Sequence, residues 1–510
     1  MEISVATVAL AFLVVAVTAL GAAGLNWIWV RPKQLEKRLR EMGFSGNRYR
    51  PFVGDTKERI AMETKAKSSP ISLSDDIVPR VAPFLLHTVQ KYGKDSFTWL
   101  GPIPFVNITQ PDMIKEIFAR HYEITKSNSN PLMKLLADGL ANYEGDKWAI
   151  HRRIINPAFH MEKLKSMMPA FQECCDQMIR KWEDQQEVEA WQHLQELSCD
   201  IISRAAFGSN YGEGKRIFDL LKIQSDLLTQ VSRSTYVPGW WFLPTRTNRI
   251  VKQLNEEIRA SLRCVIGKRE KAMTAGEYYN DDLLGILMQS NKSEINHHGK
   301  MELRMTINEV MEECKLFYLA GQETTSTMLV WTMVLLGKHQ AWQEAAREEV
   351  KTVFNGKIPD FDNLWRLKKI PMIFNEVLRL YPPVVNLTRA IHEEVKIGSL
   401  VFPAGVHINL PTVLVHRDRA LWGGDAADFN PERFAGGISK SAAKQVSFFP
   451  FGGGARICIG QQFSLLEAKL ALCKILQRFS FELSPSYLHA PHSAITLQPQ
   501  HRVPIILHKI

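Results

Sequence analysis

The sequence predicts a mainly α-helical protein with small β-sheets, built as a single large domain behind an N-terminal transmembrane helix. Three observations carry that expectation. No charged side chain occurs across residues 3–30. Long segments downstream place apolar residues at spacings of three and four, against a few short strand-like runs. No internal repeat of about 20–50 residues and no low-complexity break divides the remainder.

The uncharged run exceeds the roughly 20 residues needed to cross ~30 Å of hydrocarbon, and residues 1–30 are expected to form an uncleaved anchor. A cleaved signal would carry a basic n-region, whereas this chain has Glu2. Trp27 and Trp29 precede Arg31, Lys33, Lys37, Arg38 and Arg40, an aromatic and then basic flank that puts the body on the cytosolic side. Residues 31–65, basic and punctuated by Pro32, Gly43, Gly46, Pro51 and Gly54, are expected to be a linker, and residues 66–510 the domain. Helices are expected over 145–155, 161–182, 194–207, 248–276, 307–336, 342–354 and 463–479. Strands are expected at 97–100, 395–397, 406–410 and 505–507. The apolar loop at 236–244 reads either as a packed turn or as an entrance that dips into the membrane, its paired Trp240 and Trp241 suiting an interface.

Composition excludes several classes. The 63 basic and 53 acidic residues leave a net charge of +10, too mild and too dispersed for a nucleic-acid binder. Seven cysteines without a C-x-x-C spacing argue against a disulfide framework and a zinc ribbon.

Two segments carry chemistry. Thr306 and Glu309 form a capping box at the start of a helix that continues for about thirty residues, on the order of 45 Å. Within it, Ala320-Gly321-Gln322-Glu323-Thr324-Thr325 interrupts an apolar segment. The threonines can bond back to carbonyls one turn earlier, or the helix widens beside a ligand with an acid and an alcohol to supply protons. The second segment, Phe451-Gly452-Gly453-Gly454-Ala455-Arg456-Ile457-Cys458-Ile459-Gly460, surrounds one cysteine with glycines that permit close approach to a flat group, ahead of a helix whose positive end favours an anion. A structural cysteine in a glycine turn is the plainer reading; a thiolate ligand for haem iron is the sharper one.

This segment matches F-x-x-G-x-R-x-C-x-G and so resembles the haem-binding signature of the cytochrome P450 monooxygenases, a pattern that recurs by chance in roughly one window in a few million. Glu376-Val377-Leu378-Arg379, Phe429-Asn430-Pro431-Glu432-Arg433-Phe434, residues 320–325 and Trp148 with Arg152 resemble further motifs of the family, in family order. The resemblance implies the cytochrome P450 fold and haem b (iron protoporphyrin IX) as cofactor. It implies Cys458 as proximal metal ligand, Trp148, Arg152, Arg389 and Arg456 on the haem propionates, and Glu323 with Thr324 as catalytic proton donors on the distal side. Glu323 stands where the family more often has Asp. Glu376, Arg379 and Arg433 are implied to form a buried structural triad.

The resemblance further implies a hydrophobic small-molecule substrate, NADPH-cytochrome P450 reductase as partner, and a single-pass protein of the endoplasmic reticulum membrane with a cytosolic catalytic domain. The segments at 31–33, 320–325 and 479–491 are similar to a plant clan that includes secologanin synthase, gibberellin-13-oxidising members and triterpenoid oxidases, which points to a terpenoid or terpenoid-derived hormone. Residues 382–387 and 495–497 occupy the family's substrate-contacting positions. A haem-thiolate isomerase or dehydratase independent of dioxygen, and a non-catalytic haem-binding membrane protein, are the alternatives; the intact Glu323-Thr324 pair argues against both.

Overall fold

The computed structural model describes residues 5–127, 133–136, 138–209, 211–232, 239–276, 282–292, 304–442, 444 and 446–510. Helix Val5–Leu25 runs through a π-helical turn, Asn26–Val30, into helix Arg31–Glu41. Its apolar part meets the length and composition required to cross a membrane, and among the described residues the most apolar stretch is not buried by the body. The stretch expected to be a linker is structured. Leu35 and Leu39 of helix Arg31–Glu41 enter the core beside the largest sheet while its basic residues lie mainly on the outer side, and the Tyr49 hydroxyl donates to the Ile28 carbonyl at 2.6 Å. A basic outer face masked the apolar inner one in the sequence.

That sheet orders six strands as Ser45–Gly46, Ser96–Leu100, Ile103–Asn107, His407–Leu410, Leu387–Ile391 and Ile124–Lys126. A second core, larger and helical, forms around helix Ile307–Lys338, which is buried along most of its length and packs against helices Ala190–Phe207 and Gln461–Arg478, both of which also pack on Met161–Glu183. The capping box forms as expected: the Thr306 amide donates to Glu309 Oε2 at 2.8 Å and the Glu309 amide to Thr306 Oγ1 at 3.3 Å. A three-stranded sheet and two hairpins, among them Pro491–Ser493 with Leu497–Pro499, complete a mainly helical body with small sheets.

Glu376 and Arg379 are fully buried and pair bidentately, Nε to Oε2 and Nη2 to Oε1, both at 2.7 Å. Arg379 also donates to the carbonyls of His416, Ala426 and Asp428, tying the helix Lys369–Leu380 to two loops. Arg433 stands 3.5 Å from Glu376 without a hydrogen bond to it, and spends its donors on Trp422 and Asp425. The expected buried triad therefore forms, as a bidentate pair with Arg433 ion-paired to the same carboxylate at 3.5 Å.

Candidate active site

Cys458 lies three residues before the helix Gln461–Arg478, and its amide donates to the Phe451 carbonyl at 2.9 Å, closing the loop. Gly452 and Gly454 take φ of +73° and +64°, a region that favours glycine. The close approach that the glycines allow is to Phe118: a Cβ on Gly453 would stand 2.4 Å from its ring, and one on Gly454 2.1 Å from its carbonyl oxygen. Gly452, by contrast, has no heavy atom nearer than 4.0 Å to such a Cβ, leaving room on that side. Cys458 is accessible although it sits deep within the protein, the combination found at an internal cleft. Burial pushes its thiol up, while the Gly460 amide and the charges of Arg152 and Lys126 pull it down.

The cation cluster beside the loop is unusual for an interior. Arg152, on helix Gly145–Ile155, donates to the Ile457 carbonyl at 2.9 Å. Arg456 lies over the Trp148 ring at 4.4 Å, donates to the Tyr143 carbonyl at 2.5 Å and pairs with Glu144. Arg389 is buried, and among the described residues its guanidinium donates only to the carbonyl of Thr388, at 2.9 Å. Burial, then the charge of Arg456, brings Arg389 down to about 10; burial, Arg456 and Arg389 together bring Lys126 down to about 7. Glu144 is the acid among them, and Arg456 Nη1 is buried without a partner. Several cations facing one acid and one orphaned guanidinium nitrogen fit a ligand bearing two carboxylates, which a haem would supply.

The opposite wall belongs to helix Ile307–Lys338. Ala320 is exposed and Gly321, Glu323 and Thr324 are half-buried in a mostly buried helix that stays α-helical throughout, so the backbone does not widen there as one of the two expected readings had it. Thr324 Oγ1 donates to the Ala320 carbonyl at 2.8 Å, the back-bonded geometry. Gly321 serves the other side of the helix: a Cβ would meet Ile202 at 2.9 Å, so the glycine admits the neighbouring helix rather than a ligand. The Glu323 carboxylate turns to the hairpin at Pro491–Ser493 and Leu497–Pro499, accepting from Thr496 Oγ1 at 2.9 Å and from Gln498 Nε2. Burial raises its carboxyl above the usual range, and these two donors oppose the rise. Thr325 Oγ1 donates to Ser464 Oγ at 3.0 Å, joining this wall to the helix after Cys458.

The structure therefore gathers Trp148, Arg152, Arg389, Arg456 and Cys458 around one cleft, and places Glu323 and Thr324 on another helix with their polar groups already engaged. Lys126, Glu144 and Gln498 were missed, and Thr496, inside the 495–497 segment expected to contact substrate, instead holds Glu323. None sits in a recognisable motif, and each acquires its partner only through the fold. A separate cleft of about 370 Å³ is lined by Thr98, Ser127, Val385, Asn386, Ser493 and Ala494 among others, and includes part of the segments expected to contact substrate.

Comparisons with known proteins converge. Residues 82–501 match the family Cytochrome P450. The chain is 53% identical over 517 residues to cytochrome P450 72A552 of Barbarea vulgaris, covering 100% of both, and 52% identical over 504 residues to cytochrome P450 CYP72A219 of Panax ginseng, covering 98% of this chain and 97% of that one. It is 52% identical over 496 residues, 95% of each chain, to 11-oxo-beta-amyrin 30-oxidase of Glycyrrhiza uralensis. A solved structure, retinoic acid bound cyanobacterial CYP120A1, shares the fold at a TM-score of 0.75 and 22% identity, over 91% of this chain and 98% of that one. A cysteine loop beside a cation cluster suited to two carboxylates and a family match spanning most of the body lead to one conclusion: the chain belongs to the cytochrome P450 family, as a haem monooxygenase similar to those of plants.

Proposed function

We propose that this monooxygenase inserts one oxygen atom from dioxygen into a terpenoid or terpenoid-derived hormone, with electrons from NADPH delivered by NADPH-cytochrome P450 reductase. The substrate class draws on the relative named 11-oxo-beta-amyrin 30-oxidase. The observation that carries the chemistry is the accessible Cys458 beside a buried group of cations. Haem, when bound, supplies activation of dioxygen and transfer of one oxygen atom. The residues of the chain would do the rest: Cys458 would hold the iron through its thiolate sulfur, Trp148, Arg152, Arg389 and Arg456 would bind the propionates, and Glu323 and Thr324 would hold and move protons. Incubating microsomes that contain the protein and a reductase with a panel of terpenoids, read by mass spectrometry for oxygen-added products, tests the substrate class. Products from the panel support it, and oxidation confined to other compound classes refutes it.

Thr324→Ala is expected to keep the fold and haem content while lowering product formed per NADPH oxidised and raising peroxide release. Alanine is the better helix former by a few tenths of a kcal/mol, and the hydroxyl's bond to Ala320 stabilises nothing that the helix lacks. Its value would lie in general-acid help, typically ~100-fold or more. An unchanged ratio of product to NADPH would leave Thr324 as a back-bonded helix residue.

The body is proposed to face the cytosol from the endoplasmic reticulum membrane. The natural sequons cannot all report on this: Asn107 is buried and donates to Ser96 Oγ at 3.1 Å, and Asn386 donates to Asn409 Oδ1 at 3.0 Å. An introduced site is needed at exposed positions, by Asp184→Asn with Gln186→Thr. No glycosidase-sensitive mass shift is expected in cells, and a shift would put the body in the lumen.

Residues 233–238 of the apolar loop lie outside the described part. In the rest, Trp240 and Trp241 pack against the helical core, while Phe242 and Leu243 are 75% and 57% exposed. Membrane contact by this loop would therefore be made by Phe242 and Leu243 rather than by the tryptophans.

A further inference from the structure

One hairpin touches both the substrate-side cleft and the acid of the long helix. Its strands Pro491–Ser493 and Leu497–Pro499 pair antiparallel, and Ser493 and Ala494 at its bend line the 370 Å³ cleft. Two and four residues beyond Ala494, Thr496 and Gln498 hold the Glu323 carboxylate. The hairpin has little freedom of its own: Trp331 Nε1 donates to the Leu497 carbonyl at 2.7 Å, the Leu497 amide to the Pro383 carbonyl at 2.9 Å, and the Ala494 amide to the Thr496 carbonyl at 3.0 Å. These bonds fix the backbone that carries Thr496 and Gln498.

We propose that Thr496 and Gln498 are positioning residues that anchor the Glu323 carboxylate and so set where the proton donor points. The inference rests on the proton-transfer role given to Glu323 above. A glutamate side chain has one more rotatable bond than the aspartate commoner at this position in the family, and fixing it costs conformational entropy. Two donors to one carboxylate offset that cost, and a charged acceptor makes such bonds about twice as strong as neutral ones. Thr327 Oγ1 lies 3.5 Å from Thr496 Oγ1, a further contact from the long helix. On its far side Glu323 reaches a cavity of about 400 Å³ whose charged lining includes Lys222, Lys215, Asp219 and Glu196. Lys222 favours the ionised acid, and Asp226 on the same helix disfavours it. The hairpin strands contribute no Asp, Glu, Lys or Arg, so the anchor acts by hydrogen bonding alone.

The test uses the haem-loaded enzyme with its reductase and any substrate it turns over, comparing Thr496→Val, Gln498→Leu, their combination, Thr496→Ser, Glu323→Asp and Glu323→Gln. The combined variant is expected to keep its haem content but lose product per NADPH several-fold. The pH at which coupling falls should move upward by about one unit, because two bonds that favour the ionised acid are gone. Thr496→Ser, which keeps the hydroxyl, should behave as the parent. Glu323→Asp should resemble the combined variant, since it retains the carboxylate and shortens its reach. Apart from turnover, the infrared carbonyl stretch assigned to Glu323 by its loss in Glu323→Gln should shift to higher frequency when both donors are removed. If Glu323→Gln uncouples the enzyme while the combined variant matches the parent in coupling and infrared band, the anchoring role is overturned and the proton role stands. If Glu323→Gln itself leaves coupling unchanged, the proton role falls and the anchoring role falls with it.

Discussion

Arg379→Ala is expected to yield little folded, haem-loaded protein, and the fraction recovered should lose thermal stability by a wide margin. The substitution leaves the Glu376 carboxylate buried without its bidentate partner and strips the carbonyls of His416, Ala426 and Asp428 of a donor. Breaking a buried pair in this way costs about 3–5 kcal/mol, a large part of a net stability of ~5–15 kcal/mol. The Trp422 ring, 5.1 Å from the guanidinium carbon, loses its stacked cation as well. Arg379→Lys should recover little, since one ammonium cannot match a fork that reaches a carboxylate and three carbonyls. The measurement is the thermal midpoint together with haem bound per protein. Parent-like values in Arg379→Ala would mean that the Glu376 pair adds nothing to the fold. Glu376 accepts from the Asn430 amide at 2.9 Å, so loss of the arginine should also loosen the turn that carries Arg433.

What the sequence revealed follows from how each element is stabilised. Helices that lay one apolar face on the core, such as Gly145–Ile155 and Met161–Glu183, stood out by spacing. Helix Tyr211–Ser232 was not among the expected helices, and it opens with Gly212 and Gly214, which are poor helix formers. In the fold a Cβ on Gly214 would stand 2.0 Å from Ser203 Oγ, so this glycine is what lets two helices come into contact. Helix Arg31–Glu41 was hidden by its charge. At the site, Cys458 and Arg456 were legible within the glycine motif, whereas Trp148, Arg152 and Arg389 were implied only by the resemblance to the family. Glu323 was legible too, but its partnership was not: Thr496 and Gln498 lie 173 and 175 positions away, and a hydroxyl in a bend or an amide in a short strand gives no signal. Lys126 became notable only when folding set it near Arg389 and Arg456.

The account depends most on Cys458 as the thiolate that holds haem iron. Five of the other six cysteines are buried, and burial drives their thiols well above the ordinary range, so none of the five is suited to ionise. Cys264 is exposed, on the long helix Arg246–Thr274 and away from the glycine loop. Cys458 alone pairs accessibility with a nearby amide and two cations that favour the thiolate. A hydroxyl in its place keeps the loop closed, since that bond is made by the backbone amide, while removing the soft anionic ligand. The decisive measurement is the absorption spectrum of the reduced, carbon monoxide-treated protein for the parent and Cys458→Ser. The parent is expected to give the strongly red-shifted Soret band of thiolate-ligated haem and the variant to lack it; the same band in both would show that another residue holds the iron.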